Sequence, residues 1–267
     1  MIKRIVIKVG TSTITHPSGA INLRNMDILV RTLADLHGLG HEVILVTSGA
    51  IAVGTAKLGL KERPKELRFK QATAAVGQCR MMHIYDKFFS EYNCTMAQIL
   101  LTGDDVDDPD RAAHLRQTFS ALLETGVIPV VNENDSVSSA EIETGSHKVL
   151  GDNDTLSAIV ASLCKADLLV LLSDIDGLYD ADPKTHPEAK LLHSIHALTP
   201  EIFGMAGSAG TWRGTGGMVT KLSAAEIAMR SGFDMVITNG NHIENLFPIL
   251  EGADIGTRFI ADKEAEK

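Results

Sequence analysis

The sequence has little cysteine, no long apolar run and no excess of positive charge. Its three cysteines, Cys79, Cys94 and Cys164, are odd in number and widely spaced, which predicts reduced structural thiols rather than a disulfide framework or a metal site. No segment approaches the ~20 apolar residues of a membrane span. A net charge of −9 argues against a general nucleic-acid or anionic-membrane surface. Any basic site must therefore be local and suited to a small anion.

Two further features are missing, a signal peptide and the residue spacing of a zinc site. The chain begins directly with a charged strand, so we expect a cytoplasmic location, with neither nucleic acid nor a membrane as a partner. The ten histidines are scattered and do not combine with cysteines in a zinc-binding pattern. We therefore expect no metal ion held by the protein itself.

The chain does have enough apolar residues for a sizeable core. It contains 267 residues, 44% apolar and 22% charged, which suits one large α/β domain or two lobes. Short apolar segments alternate with longer amphipathic ones. Strands are predicted near 3–9, 42–47, 95–100, 127–131, 167–172 and 233–237, and helices near 23–38, 66–91, 111–124, 153–164 and 217–231. This alternation predicts a mostly parallel sheet covered by helices on both faces.

Polar motifs follow four of the predicted strands. In open parallel sheets, ligands bind at the carboxyl ends of the strands, so these motifs are candidates for one shared site. They are Val9-Gly10-Thr11-Ser12, Thr47-Ser48-Gly49-Ala50, Asn132-Glu133-Asn134-Asp135 and Leu172-Ser173-Asp174.

Two lysines beside glycine-containing segments point to phosphoryl transfer. Lys8 precedes Gly10, which we expect to let the chain turn tightly and free N–H groups for an anion. Lys221 ends segment 214–221, which opens a predicted helix, and helix starts favour anions. Lysines stabilise the charge that spreads over a transferring phosphoryl group, and Asp154 is the acid expected to hold both in position. The alternative is that both lysines are ordinary surface charges.

Two clusters of amides and carboxylates indicate a small zwitterionic substrate. Residues 132–135 could be only a turn, because Asn and Asp are common turn formers. In residues 151–154, Asn153 or Asp154 could be only a helix cap. Together the clusters offer donors and acceptors for the ammonium and carboxylate groups of an amino acid, which fits them better than a sugar or a nucleotide base.

Ser48 resembles a hydrolase nucleophile only superficially. Its surroundings lack the Gly-x-Ser-x-Gly pattern, and no base held by a third group is evident. We expect the Ser48 hydroxyl and adjacent N–H groups to bind a substrate carboxylate at a helix start. The alternative is an ordinary capping serine.

Six motifs, in order over almost the whole chain, resemble those of the amino acid kinase family and in particular its glutamate-phosphorylating members. The Lys-x-Gly start and segment 172–179 are typical of the wider family. The combination of Thr-Ser-Gly-Ala, Asn-Glu-Asn-Asp and Gly-Thr-Gly-Gly-Met is what narrows the resemblance. The six segments are 7–12, 46–51, 70–78, 132–135, 151–154 and 214–221.

This resemblance implies a fold of the α/β class, a three-layer αβα sandwich with a mostly parallel central sheet. It implies one domain over residues 1–267, with the N-terminal part mainly binding glutamate and the C-terminal part mainly binding ATP. The implied reaction transfers a phosphoryl group from ATP to the γ-carboxylate of L-glutamate, the first step of proline biosynthesis. Mg²⁺ would be bound mainly through the ATP phosphates. The γ-carboxylate is already anionic, so alignment and charge neutralisation suffice without a general base.

Roles are carried over by position from the resemblance. The implied catalytic residues are Lys8, Asp154 and Lys221. The implied glutamate-binding residues are Ser48, Asn132, Asp135 and Asn153. The implied nucleotide-binding residues are Lys8, Ser173, Asp174, Thr215, Gly216, Gly217, Met218, Val219, Thr220 and Lys221.

The resemblance also carries expectations about regulation, assembly and length. Many relatives continue into a C-terminal RNA-binding-like PUA domain, which we do not expect here. Segment 141–150 is expected to form part of a lid over glutamate. Relatives are often inhibited by proline and form dimers or tetramers.

Two alternative functions stay open. One is an acetylglutamate, carbamate or uridylate kinase of the same fold. The other is a catalytically silent amino-acid sensor, which would not need Lys8, Asp154 and Lys221.

Overall fold

An eight-stranded sheet runs through the middle of the protein. The structure, a computed structural model, describes residues 3–138, 152–183, 185–208 and 217–262. The strands are β1 (Arg4–Val9), β2 (Glu42–Val46), β3 (Met96–Leu101), β4 (Ile128–Glu133), β5 (Leu168–Ser173), β6 (Ser194–Ile195), β7 (Asp234–Asn239) and β8 (Thr257–Phe259). Their order in the sheet is β3-β4-β2-β1-β5-β7-β8-β6. Only the β7–β8 pair is antiparallel among these strands, so the predicted mostly parallel sheet is confirmed.

Helices cover both faces of the sheet. They are α1 (Thr11–Ile14), α2 (Leu23–Gly38), α3 (Ala50–Lys57), α4 (Leu67–Glu91), α5 (Gly103–Asp107), α6 (Pro109–Glu124), α7 (Asn153–Leu163), α8 (Pro200–Ser208), α9 (Met218–Arg230) and α10 (Leu246–Glu251), with a 3₁₀ turn at Ile243–Asn245. One core cluster joins the sheet to α2, α3, α4 and α10, and the other joins it to α6, α7 and α9. The expected three-layer αβα sandwich is therefore confirmed.

Successive side chains of β1 point to opposite faces of the sheet, and both faces are buried, so this strand is apolar almost throughout. Ile5, Ile7 and Val9 pack in the core on the α2 side, whereas Val6 packs on the α7 side. Burying a side chain such as Ile5 contributes about 1.5–3 kcal/mol. Lys8 shares the face of Val6, so its side chain lies on the side of α7 and α9. Alternation within one buried strand thus selects which helices can reach this lysine.

The predicted strands and helices are all present, with ends displaced by at most two residues. The largest displacement at a helix start is that of α6, which begins at Pro109 rather than near residue 111. Asp108 caps α6 by accepting from the backbone N–H groups of Asp110 and Arg111, and Pro109 suits the first helical position because it has no N–H to satisfy. None of the helices in the described ranges has the length and apolar character needed to cross a membrane.

A close contact between α3 and α4 fixes the wall behind the strand ends. Gly54 of α3 and Gly77 of α4 face the partner helix, and a Cβ on Gly77 would collide with the carbonyl oxygen of Ala50. The two glycines let the helix backbones approach each other closely. As a result, α4 holds the first turn of α3 in place.

Candidate active site

Lys8, Asp154 and Lys221 meet at the carboxyl ends of the central strands. The Lys8 Nζ lies 2.6 Å from Asp154 Oδ1, and the Lys221 Nζ lies 3.1 Å from Asp154 Oδ2. Asp154 is 1% exposed, Lys221 5% and Lys8 9%. The alternative of ordinary surface lysines is therefore wrong. A buried ammonium group needs a counter-ion, and here one carboxylate serves two of them.

The charge of Asp154 is maintained by its two partners. Burial acts to raise the pKa of this carboxyl. The nearby ammonium groups of Lys8 and Lys221 lower it by a larger amount, so the pKa lies below its ordinary value. Thr220 adds a hydrogen bond, with its Oγ1 donating to Asp154 Oδ2 at 3.0 Å. The result is a fixed carboxylate that orients two cations toward one space.

The start of α7 places Asp154 at this point. The side chain of Asp152 caps the helix, its Oδ1 accepting from the backbone N–H groups of Asp154 at 2.7 Å and Thr155 at 2.8 Å. The alternative that Asn153 or Asp154 is only a helix cap is therefore wrong. With capping assigned to Asp152, the side chains of its two successors are available for other contacts.

A cavity of about 460 Å³ opens beside the three charged residues. Its wall combines the first turns after β1, β2, β4 and β5 with the starts of α3, α7 and α9. It is formed by Lys8, Gly10, Thr11, Ser12, Ser48, Gly49, Ala50, Ile51, Ala52, Arg63, Asn132, Asp135, Asp152, Asn153, Asp154, Ser173, Asp174 and Lys221. The polar motifs predicted to share one site do line one cavity.

The Ser48 hydroxyl is held by backbone and side-chain contacts. Its Oγ donates to Val9 O at 3.0 Å and lies 3.1 Å from Thr11 Oγ1. The N-cap residue of α3 is Gly49, at φ 95°, and it makes no side-chain cap hydrogen bond. Glycine suits this left-handed conformation. The alternative of an ordinary capping serine is wrong, and the N–H groups of the first turn of α3 have no side-chain cap.

Three of the predicted substrate-binding side chains lie on another wall of the cavity. Asn132 is the penultimate residue of β4 and is 2% exposed, whereas Asp135 lies in the turn that follows. The turn interpretation thus holds for Asp135 but not for Asn132. Asn153 Nδ2 donates to Asn132 Oδ1 at 3.0 Å and also to the carbonyl oxygen of Thr47. The two clusters predicted from the sequence are therefore in direct contact.

The side-chain carboxyl of Asp135 has a raised pKa. Burial and then the nearby charge of Glu133 raise its pKa to about 6, although the positive charge of Arg63 opposes the shift. Burial also raises the pKa of Asp152, against the hydrogen bonds from the start of α7. The cavity wall thus carries two carboxyl groups, those of Asp135 and Asp152, whose ionised forms are disfavoured by burial.

The predicted nucleotide residues divide between those that line the cavity and those that do not. Ser173, 6% exposed, and Asp174 line it at the end of β5, and Ser173 Oγ donates to Asp174 Oδ1 at 3.1 Å. Lys221 lines it from the first turns of α9. Gly217, Met218, Val219 and Thr220 are close in sequence but are not part of its described wall. Thr215, Gly216 and the predicted lid 141–150 lie outside the described residues.

Gly10 lies at the turn from β1 into α1, but its own N–H is not free. Its φ is −76°, which any residue can adopt, and its N–H donates to the carbonyl oxygen of Leu172 at 3.2 Å. The turn at Gly10 therefore does not depend on a left-handed backbone, and the first turn of α1 that follows it has no side-chain cap. A Cβ at this position would lie 3.9 Å from Lys8 Nζ, so glycine leaves space next to the lysine.

The sequence pattern matches a known family over most of the chain. A sequence model of the amino acid kinase family matches residues 3–239. The chain belongs to the amino acid kinase family. A glutamate 5-kinase from Clostridium perfringens is 53% identical to it over 261 residues, which cover 98% of this chain and 96% of the relative. A glutamate 5-kinase from Caldanaerobacter subterraneus is 52% identical over 260 residues, which cover 97% of this chain and 68% of that longer relative.

Solved structures of two kinases share the fold at low sequence identity. A carbamate kinase from Giardia lamblia superposes with a TM-score of 0.67 at 18% identity and covers 98% of this chain and 99% of its own. A UMP kinase from Bacillus anthracis gives a TM-score of 0.64 at 14% identity, with 97% and 96% covered. These likenesses support the sandwich architecture and carry no statement about the substrate.

Two residues of this amino acid kinase site were missed by sequence reasoning. Asp152 was noticed only as part of a cluster, although its carboxylate both caps α7 and lines the cavity. Arg63 lies in the connection between α3 and α4, where no periodic pattern singles it out, yet it also lines the cavity. Only the folded chain brings this arginine near Asp135.

Proposed function

We propose that this protein transfers the γ-phosphoryl group of ATP to the γ-carboxylate of L-glutamate, giving ADP and L-glutamyl 5-phosphate, the first step of proline biosynthesis. The observation that carries the proposal is the meeting of Lys8, Asp154 and Lys221 beside the contact between Asn132 and Asn153. A phosphoryl-transfer centre and an amino-acid-binding cluster share one cavity. Identity of about half to glutamate 5-kinases over nearly the whole chain supports the same acceptor.

The acceptor side of the cavity fits an amino acid. Asp135 provides a carboxylate for the substrate ammonium, and Asn132 and Asn153 provide amides beside it. Ser48 and the uncapped N–H groups at the start of α3 suit a substrate carboxylate, because helix N-termini stabilise negative charge. An N-acetylated amino acid has no ammonium group to pair with Asp135, so it should bind less well.

The two lysines would stabilise the transferring group. An ammonium group has three N–H donors, so Lys8 and Lys221 can keep their contacts with Asp154 and still donate to phosphate oxygens. Negative charge spreads over these oxygens in the transition state, where fixed cations act most strongly. The acceptor carboxylate is anionic at neutral pH, so its oxygen can attack phosphorus without a general base.

The nucleotide would occupy the side formed by the ends of β5 and β1 and the start of α9. Ser173, Asp174 and Lys221 line this side. The rest of segment 215–221 is assigned there from the family resemblance. Among the described residues, no group of three or more His, Cys, Asp or Glu side chains is placed to hold a metal ion. By the family resemblance, Mg²⁺ would be bound mainly through ATP phosphates, and it would neutralise part of their charge.

The same proposal includes the wider expectations of the resemblance. One amino acid kinase domain binds glutamate mainly through its N-terminal part and ATP mainly through its C-terminal part. It acts in the cytoplasm, where thiols such as buried Cys164 stay reduced. Inhibition by proline and assembly into a dimer or tetramer are predictions that activity assays with added proline and sedimentation analysis can test.

The test is an ATP-dependent acyl hydroxamate assay with three acceptors. Hydroxylamine traps an acyl phosphate as a hydroxamate, so product formation reports phosphorylation of a carboxylate. We expect product with L-glutamate and little with L-aspartate or N-acetyl-L-glutamate. Product with N-acetyl-L-glutamate but not with L-glutamate would support an acetylglutamate kinase instead. If none of the three acceptors gives an ATP-dependent hydroxamate, the proposal is contradicted.

A further inference from the structure

The helix α4 reaches the acceptor side of the cavity from behind. Its residues Gly77, Gln78 and Tyr85 face the site, since Gly77 packs on Ala50 and the Tyr85 hydroxyl lies 2.9 Å from Thr47 Oγ1. Gln78 and Tyr85 are seven positions apart and therefore lie on the same helix face. Gln78 itself is buried and does not line the cavity. Its only route to a ligand is through another side chain.

Gln78 begins a chain of side-chain amides that ends in the cavity. Gln78 Oε1 accepts from Asn132 Nδ2 at 2.9 Å. Asn132 Oδ1 accepts from Asn153 Nδ2 at 3.0 Å and from the backbone N–H of Glu133 at 2.9 Å. Asn153 Nδ2 also donates to the carbonyl oxygen of Thr47. Three side-chain amides are thus linked between α4, β4 and α7.

Backbone groups fix the direction of this chain. A carbonyl such as that of Thr47 can only accept, so the atom of Asn153 that contacts it must be Nδ2. A backbone N–H such as that of Glu133 can only donate, so its partner on Asn132 must be Oδ1. The other end of the Asn132 amide, Nδ2, must then face Gln78, which has to present Oε1. Reversing any of these amides would bring like groups together.

The consequence reaches the ligand through Asn153. Both hydrogens of its Nδ2 are used inside the protein, by Thr47 and by Asn132, so Oδ1 is the atom it can offer to the cavity. An amide oxygen accepts hydrogen bonds, and an ammonium group donates them. Asn153 is therefore set to accept from a cationic ligand group in the cavity that Asp135 also lines.

The amide nitrogen of Gln78 shows that a contribution to stability alone does not explain why glutamine occupies this position. Gln78 Nε2 is buried and has no hydrogen-bond partner among the residues that the structure describes. An unpaired buried donor is destabilising. An apolar side chain of similar length would avoid this cost but would give up the contact with Asn132.

We propose that Gln78 is a positioning residue, which holds the amides of Asn132 and Asn153 so that Asn153 Oδ1 receives the ammonium group of the amino-acid substrate. This inference rests on the proposed function, because it assumes an amino acid as acceptor. It assigns to α4 a part in substrate selection although α4 contributes none of the described cavity wall.

The test replaces Gln78 with methionine, which has a similar shape but no acceptor of comparable strength. Gln78→Met should raise the KM for L-glutamate about tenfold or more, the effect of weakening one hydrogen bond to a charged group. The KM for ATP and kcat should change less than about threefold, because Lys8, Asp154 and Lys221 are outside the amide chain. The free energy of unfolding should remain close to that of the parent, since the variant also removes the unpaired Nε2.

A matched control is Thr32→Val in α2. Thr32 is 2% exposed and its Oγ1 donates to Ile28 O at 2.9 Å, so the variant loses a side-chain hydrogen bond within α2 and leaves the amide chain intact. It should lower the free energy of unfolding and leave the KM for L-glutamate unchanged. Gln78→Glu, which keeps an acceptor oxygen for Asn132, should restore most of the affinity that Gln78→Met loses.

Each contrary result is decisive. An unchanged KM for L-glutamate in folded Gln78→Met overturns the inference, as do equal effects on the KM for ATP, a similar rise in Thr32→Val, or failure of Gln78→Met to fold. Gln78→Glu with the same loss as Gln78→Met also overturns it. If the parent protein forms no acyl phosphate from L-glutamate, the proposed function fails instead, and the hydroxamate assay reports that separately.

Discussion

Lys8 and Lys221 come from opposite ends of the chain, and their ammonium groups lie on the two oxygens of a single carboxylate, that of Asp154. Neither lysine could be buried alone, because an isolated buried charge is too costly. The three side chains carry a net positive charge that faces a cavity of about 460 Å³. This arrangement suits an anionic ligand whose charge is redistributed during reaction.

Lys221→Ala should lower turnover far more than it weakens glutamate binding. The charge of Lys221 matters most in the transition state, and loss of one such stabilising donor lowers kcat roughly 10²–10³-fold. The KM for L-glutamate should change only a few-fold. Steady-state kinetics with both substrates varied gives the two constants.

The control for this variant is Arg230→Ala, at the exposed end of the same helix. It removes a positive charge from α9 without touching the cavity, so kcat should stay at the parent value. Parent-like turnover in Lys221→Ala would remove the assignment of this lysine to catalysis.

Asp154→Asn should destabilise the folded protein as well as inactivate it. The variant leaves two buried ammonium groups without their counter-ion, and breaking a buried ion pair costs about 3–5 kcal/mol. Denaturant titration measures the free energy of unfolding. The matched control is Glu42→Gln, which breaks the partly exposed pair with Arg4 at 2.7 Å and should cost only about 0–1 kcal/mol.

The pH dependence of this effect has a defined sign. The pKa of Asp154 is lower in the folded protein than its ordinary value. Such a carboxyl contributes stability above its unfolded pKa, about 3.9, and the contribution is lost as the pH falls through the folded pKa. The stability difference between the parent and Asp154→Asn should be full at neutral pH and shrink below about pH 4. A difference that stays constant into acid would contradict the ion-pair explanation.

Asp135→Asn should stabilise the fold and weaken glutamate binding. The pKa of Asp135 is raised to about 6, so ionisation of this carboxyl in the folded protein at higher pH costs stability on the order of 3 kcal/mol. Above pH 6 the variant should be more stable than the parent, and below about pH 4 the two should converge. The KM for L-glutamate should rise about tenfold, because the ammonium group loses a charged partner.

Asp135 should also set the pH profile of the parent enzyme. Its protonated form cannot pair with an ammonium group, so kcat/KM for L-glutamate should fall as the pH drops through about 6. The inflection should be absent in Asp135→Asn. A profile that keeps the inflection in the variant would assign it to another group.

Gly77→Ala should disturb the site through the backbone. A Cβ at Gly77 would collide with the carbonyl oxygen of Ala50 and push α4 away from the start of α3, so we expect a loss of several kcal/mol and reduced activity. Gly38→Ala is the matched control, because Gly38 ends α2 with no atom within 4 Å of the added Cβ. It should be neutral or stabilise by about 0.5–1 kcal/mol. Equal stability of both variants would contradict the close helix contact.

The long elements and their order were predictable because their apolar spacing is clear. The amphipathic helix α2, for example, has its predicted bounds, Leu23–Gly38, with Asn22 as its cap. The short elements were given no bounds, and α3 was predicted only as a helix start near Ser48. α3 is apolar around much of its surface, so no stripe marks it as a helix, and it is defined by packing on α4 through Gly54. The strands β6 and β8 have two and three residues, too few for a periodic signal.

The meeting of Lys8, Ser48, Asn132 and Ser173 was predictable because parallel strands bring their carboxyl ends to one edge. Details that depend on exact placement were not. The pairing of the Gly10 N–H with the carbonyl oxygen of Leu172, for example, joins distant residues, and the local motif does not reveal it. The raised pKa of Asp135 depends on burial and on Glu133 and Arg63, and burial at a turn has no local sequence signal.

The most direct measurement follows the oxygen atoms. The parent protein is supplied with ATP, hydroxylamine and L-glutamate labelled with ¹⁸O in its γ-carboxylate, and the released phosphate is analysed by mass spectrometry. If a carboxylate oxygen attacks the γ-phosphorus, it becomes the bridging oxygen of the acyl phosphate, and hydroxylamine attack at the acyl carbon then releases phosphate carrying one ¹⁸O atom. Phosphate with one ¹⁸O, formed together with the hydroxamate, is the predicted result. Unlabelled phosphate would mean that water is the acceptor, and it would contradict carboxylate phosphorylation at the cavity that Lys8 and Lys221 share.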